Sequence, residues 1–353
     1  MPSLGIVVTL VAWSYLVDRL GERIVLTMGS ALTAAAVYAA AAVHSLMTVG
    51  AFLFLGGMAA SCNPAGGRLV SGWFPWHQRG VAMAIRQTAQ PLGIALGALV
   101  IPELAQRGAA VGLLFPAVLC TVSAVASAVV VIDPPRKPRA AANHEELASP
   151  YCGTPVLWRI HATAALMTMP QCMTVTFMLV WLIRDHGWSI RSAGVLVTVT
   201  QLLGALGRIA AGRWSDLIGS RMRPVRTIAV ATTLNLMTLA LTDHLNSPFA
   251  VALMVAVSVI AVTDNGLEAT AITEFAGAFW SGRALGTQNT TQRLTALAGP
   301  PMFGALINAA GYPLAFTLCS FFPLAAVPFV PTGLLPPGLE PKTQREAVHR
   351  LRR

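Results

Sequence analysis

Two carboxylates, Asp264 and Glu268, stand four residues apart inside a long apolar run. If that run is a helix, both fall on one face. An ionised carboxylate at the centre of a bilayer costs about 2.5–3.5 kcal/mol on insertion scales, and two held close together do not readily ionise at once. One proton shared between them is the chemistry of a proton carrier. The alternative is structural: the pair neutralised by Arg208 or Arg293, or Glu268 lying with Glu274 at headgroup level. Arg86, followed by Gln87, sits inside another apolar run, and Arg68 near the end of a third. An arginine fork matches a carboxylate, so Arg86 is a candidate for holding an anionic solute; snorkelling of both arginines to the headgroups is the bland alternative. Gln171, Gln201 and Asn265 are uncharged polar groups at comparable depth. They suit contact with a solute or hydrogen bonding between helices.

Other chemistries have little support. The five cysteines (Cys62, Cys120, Cys152, Cys172, Cys319) include no CxxC pair, and the seven histidines lie mostly in loops or near segment ends. No glycine-rich loop ends in a phosphate-binding lysine, and there is no HExxH. Neither a metal nor a cofactor is expected, nor ATP-driven pumping or intramembrane zinc proteolysis. The chain is not expected to be an enzyme.

The elements that must position these residues are set by composition. Of 353 residues 55% are hydrophobic and 11% charged, with a mean hydropathy of +0.65; an ordinary soluble domain carries about a quarter charged residues. Lipid accommodates that apolar surface without polar cover. Segments long enough to span fall near 1–17, 24–43, 47–70, 81–102, 110–132, 160–183, 192–212, 225–242, 248–270, 284–307 and 312–331. The formal charge of +10 resides in short loops and the tail, so it reads as topology rather than nucleic-acid binding. Arg19, Arg23, Arg79, Arg136, Lys137, Arg139, Arg159, Arg213, Arg221, Arg223, Arg226 and Arg283 follow odd-numbered segments, and Lys342, Arg345, Arg350, Arg352 and Arg353 the last. The intervening loops hold Arg107, Arg184 and Arg191. This alternation places the odd loops and the C-terminus in the cytoplasm and the N-terminus outside. The N-terminal run has no basic region before it, which argues against a cleaved signal peptide.

The chain repeats itself. Ser14-x-x-x-Asp18-Arg19-x-Gly21-Glu22-Arg23 follows the first segment, and Gly212-Arg213-Trp214-Ser215-Asp216-x-x-Gly219-Ser220-Arg221 follows the seventh, with the aspartates 198 residues apart. Gln78-Arg79-Gly80-Val81-Ala82 opens the fourth segment and Gly282-Arg283-Ala284-Leu285-Gly286 the tenth, with the arginines 204 apart. Two similar halves, 1–132 and 159–331, are thus joined by a polar, proline-rich stretch at 133–158, with a basic tail at 332–353. Such halves mark many secondary transporters.

These loops resemble the signature of the major facilitator superfamily, Gly-x-x-x-Asp-Arg-x-Gly-Arg-Arg, and its weaker second copy. Asp18, Arg19, Gly21 and Arg23 match the first; Ser14 and Glu22 depart from it. Gly212, Asp216, Gly219 and Arg221 match the second. The stretches WFPWHQRGVAMAIRQTAQPLG and SGRALGTQNT with AGPPMFGALIN also look like that superfamily. The resemblance implies an all-α membrane fold of two pseudo-symmetric bundles, with about eleven of the family's twelve transmembrane helices present and its first helix absent. It implies that Asp18, Arg19 and Arg23 latch the halves on the cytoplasmic side, and that the segment holding Asp264 lines the central cavity. The expected function is alternating-access transport of a small solute driven by a proton or other ion gradient. Efflux of a drug-like amphiphile and uptake of an organic anion or neutral solute both remain open. A non-transporting remnant, a channel and an intramembrane enzyme are the competing expectations. Twenty-two arginines against two lysines suggest a bacterial gene, hence a monomeric, multi-pass protein of the inner membrane lipid bilayer.

Overall fold

The computed structural model describes residues 2–62, 64–135 and 139–333. Among them are thirteen α-helices and no strand: α1 Pro2–Leu20, α2 Glu22–Ala42, α3 Leu46–Ala60, α4 Pro64–Trp73, α5 Arg79–Ala105, α6 Ala109–Val130, α7 His144–Leu147, α8 Val156–Arg184, α9 Ile190–Ile218, α10 Met222–His244, α11 Phe249–Ile260, α12 Asn265–Ala276 and α13 Ser281–Ala326. Nine stretches are long and apolar enough to cross a membrane. One of them, Ser281–Phe329, is two spans meeting at Gly311, whose φ of 80° breaks the helix. At 27 residues, α5 is also long enough to span. The eleven expected segments are therefore all helical.

Two are interrupted. The third divides into α3 and α4 just before Pro64, whose missing N–H suits a first helical turn. The ninth divides into α11 and α12 around 261–264. With twelve residues on each side, at 1.5 Å per residue, that break lies roughly 18 Å from either end. The polar linker is not wholly extended: α7 docks through Leu147, whose carbonyl accepts from Trp280 Nε1 at 3.0 Å. Arg136, Lys137 and the basic tail lie outside the described residues.

Helices α1–α6 form one bundle and α8–α13 the other. The second is built on Trp181, Phe303 and Phe316, each no more than 1% exposed. Outward-facing apolar groups such as Val8, Val129 and Phe249 are 66–73% exposed, as befits lipid contact. The halves meet where α1 packs on α13 and α5 on α9. Arg68, Arg79, Arg221 and Arg283 gather at one end of this junction, with Trp76 and Trp280 stacked on the last two.

Candidate functional site

Each signature aspartate closes a helix belonging to the other half. Asp18, at the end of α1, accepts from the backbone N–H groups of Gly282 and Arg283 at 3.1 and 3.2 Å and from Arg283 Nε at 3.0 Å. Asp216, near the end of α9, accepts from the N–H groups of Gly80 and Val81 at 3.0 and 2.9 Å. The first turn of a helix leaves its N–H groups unpaired and carries positive partial charge, so a carboxylate there makes charge-assisted bonds. Both are sealed, with side chains 1% and 2% exposed. Close approach depends on glycine. A Cβ on Gly80 would strike the carbonyl of Gly212 and Asp216, and one on Gly282 would strike Asp18. Gly219 caps α9 in the left-handed region, at φ 63°.

Behind each aspartate an ion pair joins the loop to a nearby helix, with the acid on the loop in one copy and on the helix in the other. In the first copy the loop supplies the acid: Glu22 pairs with Arg68 Nε at 3.1 Å, and Arg68 Nη1 also reaches Asp18 at 3.1 Å. In the second the loop supplies the base: Arg221 holds Asp216 at 2.5 Å and Glu274 at 3.1 Å, and also donates to the carbonyl of Trp76. Glu22 departs from the signature, and Arg68 is its complement. Arg19 and Arg23 stand apart from the contacts between halves. The guanidinium of Arg19 lies 4.7 Å from the Tyr15 ring, and Arg23 donates to the carbonyl of Ala128 at 2.8 Å within the first bundle. Arg19, Arg68, Arg79, Asp18 and Glu274 line a cavity of about 650 Å³ between the two copies. Nearby in the linker, Tyr151 hydrogen-bonds His161 Nε2 at 2.9 Å, and burial pushes its phenol above the usual tyrosine range.

A second constellation surrounds the break between α11 and α12. Asp264 and Glu268 are both 0% exposed and lie one helical turn apart, at the N-cap and in the first turn of α12. Asp264 Oδ2 and Glu268 Oε1 have no hydrogen-bond partner among the described residues. Gln171 Nε2 donates to Asp264 Oδ1 at 3.3 Å, and Gln288 Nε2 to Glu268 Oε2 at 3.4 Å. Asn265 Nδ2 donates to Gln171 Oε1 at 3.0 Å, and Gln292 Nε2 to Asn265 Oδ1 at 3.4 Å. Arg208 is 8% exposed. It donates through Nε to the carbonyl of Val262 at 3.1 Å and through Nη1, across the junction, to that of Gln87 at 2.6 Å.

The structure thus assembles four of the residues singled out from sequence: Asp264, Glu268, Gln171 and Asn265. Gln201 makes no side-chain hydrogen bond among the described residues and lies outside the cluster, and Gln87 joins through its carbonyl alone. Arg86 lies along α4, where its Nε occupies the space a side chain on Gly66 would need. Gln288, Gln292 and the Arg68–Glu22 pair were not foreseen. The last left a trace: Arg68 and Glu274 are 206 residues apart, close to the repeat spacing.

Comparison with known proteins adds the following. The sequence profile described as Major Facilitator Superfamily matches residues 1–300. An MFS-type transporter of Mycobacterium tuberculosis strain H37Rv, Rv2994, is 68% identical over all 353 residues, which span 79% of its length. MT3072 of strain CDC 1551 is 68% identical over the same residues and share of its length. Among solved structures, the human organic anion transporter MFSD10 superimposes with a TM-score of 0.74 at 19% identity, covering 93% of this chain and 82% of that one. The Escherichia coli fucose:proton symporter FucP (N162A) gives 0.74 at 13% identity, covering 93% and 88%. The proton:xylose symporter XylE gives 0.74 at 15%, covering 93% and 83%. At such identities these likenesses speak to the fold.

Proposed function

The chain belongs to the Major Facilitator Superfamily, and from that premise we propose that it moves a small solute across the membrane by alternating access, coupled to protons through Asp264 and Glu268. Family and fold are those of a multi-pass secondary transporter rather than an enzyme.

The carboxyl pair carries the coupling. Two carboxylates buried without an ion-pair partner are costly unless neutralised. Here each has one oxygen with no partner among the described residues, and the two groups lie one helical turn apart. A single proton between them satisfies both. The break in the span at this point supports the reading, because discontinuous helices near the midplane are where transporters bind substrate and coupling ions.

Arg208 supplies a means of release. While α5 and α9 are together its Nη1 is bound to the Gln87 carbonyl of the opposite half. When the halves part on the arginine-rich side, which the charge distribution assigns to the cytoplasm, that acceptor departs. The guanidinium then turns to Asp264, two residues from its other acceptor Val262, and displaces the proton inward. The conformation described here has its arginine-rich side shut. Farther along α5, Gln90 and Gly93 are exposed, and a Cβ on Gly93 would meet nothing within 4 Å.

The test is Asp264→Asn in proteoliposomes. Uphill transport under an imposed pH gradient should vanish while solute exchange persists. Uphill transport that survives the substitution removes Asp264 from the coupling.

A further inference from the structure

The cavity between the two latch copies has a wall with cationic groups to spare. Its two acids, Asp18 and Glu274, are each 1% exposed and already bound by arginines from outside the lining, Arg283 and Arg221. Arg68 is engaged by Asp18 and Glu22. Arg19 and Arg79 remain. Among the described residues Arg19 has a ring contact with Tyr15 and no hydrogen bond or ion pair. Arg79 donates one bond, to the Phe74 carbonyl, and stands 4.0 Å from Glu274. Ser281, also in the wall, is 2% exposed, and its Oγ has no hydrogen-bond partner among the described residues. Buried hydroxyls are ordinarily paired, and one that is not calls for an explanation. We propose that this cavity is a regulatory site for a small soluble organic phosphate, which locks the arginine-rich side shut and so holds transport in check.

Ligand class follows from the donors on offer. Arg19, Arg79 and Ser281 belong to three elements, the end of α1 and the starts of α5 and α13. A carboxylate has two oxygens in one plane, whereas a phosphate ester presents three terminal oxygens. Arginine guanidinium groups also pair with phosphate through strong charge-assisted bonds. The cavity volume, about 650 Å³, falls in the range of small-molecule sites, roughly 300–1,000 Å³, and leaves room for an organic body. Phe279, Pro134 and Pro135 give that body an apolar wall. The lining consists of helix ends and loops rather than exposed apolar flanks such as Val129. The ester therefore comes from solution and not from a phospholipid, whose headgroup carries the same phosphate chemistry.

The sign of the effect follows from which half supplies which group. Arg19, Arg79 and the two prolines belong to the first half, Phe279 and Ser281 to the second. They share one cavity only while α1 rests on the start of α13. A ligand held by both sides thus binds the closed arrangement and loses its site when the halves part. A ligand shifts an equilibrium only by its differential affinity for the two states. One that binds the closed state alone, present at a hundred times its Kd, raises the ratio of closed to open about a hundredfold. Alternating access then stalls with the arginine-rich side shut. The inference rests on the alternating-access part of the function proposed above and not on the acid pair, so failure of the Asp264→Asn test leaves it standing.

The experiment uses purified full-length protein in detergent. The probes are AMP and glucose 6-phosphate, with inorganic phosphate, adenosine, glucose and succinate as counterparts. At least one ester should bind by calorimetry, more tightly than any counterpart, and raise the thermal unfolding midpoint. Arg19→Gln should weaken that binding at least tenfold, the loss of a charged hydrogen bond. Ser281→Ala should weaken it severalfold and leave the unliganded midpoint unchanged, since the hydroxyl has no partner to lose. Arg213→Gln, exposed and outside the lining, should change nothing, which controls for general attraction to a basic face. Asp216→Asn weakens closure from outside the cavity. In that variant, spin labels at His77 and Arg223, exposed on opposite halves, should return from long to short distances on adding the ester. Gly212→Val, propped open against the Gly80 carbonyl, should bind it at least tenfold more weakly than the unaltered protein. Binding of neither ester, or equal binding of succinate, overturns the ligand class. Binding that survives both Arg19→Gln and Ser281→Ala overturns the site. Equal affinity for the Gly212→Val variant overturns the lock. Closure in phosphatidylglycerol nanodiscs without any response to the soluble esters overturns the soluble source.

Discussion

Replacing Asp18 with asparagine removes the charge that joins α1 to the start of α13 while nearly preserving shape. Four donors meet this carboxylate: the Gly282 and Arg283 N–H groups, Arg283 Nε and Arg68 Nη1, all at 3.0–3.2 Å. Arg68 sits on α4, in the same half as Asp18, and stays with it whichever way the halves tilt. The other three bonds cross the junction and exist only while the arginine-rich side is shut. A hydrogen bond to a charged group contributes about 1.5–3 kcal/mol net. An amide retains part of this through its oxygen, so the closed state loses about 3 kcal/mol relative to the open one, or somewhat over a hundredfold in their ratio. Asp18 is 1% exposed, so solvent screening does not reduce the figure. Spin labels at His77 and Arg223, both exposed and on opposite halves near the second latch, read the opening as a longer distance in pulsed EPR, after the exposed Cys152 is changed to serine. Asp18→Asn should convert a mostly short distance into a mostly long one, and Asp216→Asn should do the same. Unchanged distributions in both variants would refute the idea that these carboxylates hold that side closed.

Gly212→Val places a side chain against the Gly80 carbonyl and Ala84, so the same labels should report permanent opening in a protein that still elutes as a single species. Arg221→Met leaves Asp216 buried without its cation and Glu274 with Arg79 alone, at 4.0 Å, and breaking a buried pair costs about 3–5 kcal/mol; the unfolding midpoint should fall, and adding Glu274→Gln should recover part of the loss. Arg208→Gln removes the proposed releasing cation, so net solute accumulation should cease while binding and exchange continue, as measured by counterflow in proteoliposomes.

The parts legible in the sequence were those to which many residues contribute. Eleven spans follow from apolar composition summed over some twenty residues each, and the halves follow from a spacing that appears twice. Asp264 and Glu268 stood out because a charge in lipid is rare and four residues make one helix face. Gln288 and Gln292 carried no such mark. They matter only because α13 lies beside α12, a tertiary fact. Arg68 and Glu22 were hidden because the repeat aligns Glu22 with Ser220 and Arg221 with Arg23, so it does not mark the ion pair. Arg86 read as a candidate solute-binding cation because nothing in the sequence says that Gly66, a turn into α4, makes room for it against the helix wall.

The distribution of bonds along the junction bears on whether coupling is obligatory. Charge-assisted bonds cross between the halves at Asp18 and Asp216, and at the midplane Arg208 reaches Gln87. If each aspartate contributes about 3 kcal/mol to closure, the pair supplies about 6 kcal/mol, close to the roughly 5.5 kcal/mol that separates a 1:99 from a 99:1 population. A solute making three or four ordinary hydrogen bonds gains about 0.5–1.5 kcal/mol from each, and only the part differing between the two states counts toward opening. Solute alone therefore falls short of reversing the latch. On the proposed proton-coupled reading, solute and proton together reach it, because neutralising the acid pair removes a cost that the solute cannot address. Weakening one latch should accordingly loosen the coupling before it abolishes transport: Asp18→Asn is expected to let solute equilibrate down its own gradient without proton movement, a leak measurable in proteoliposomes at matched pH.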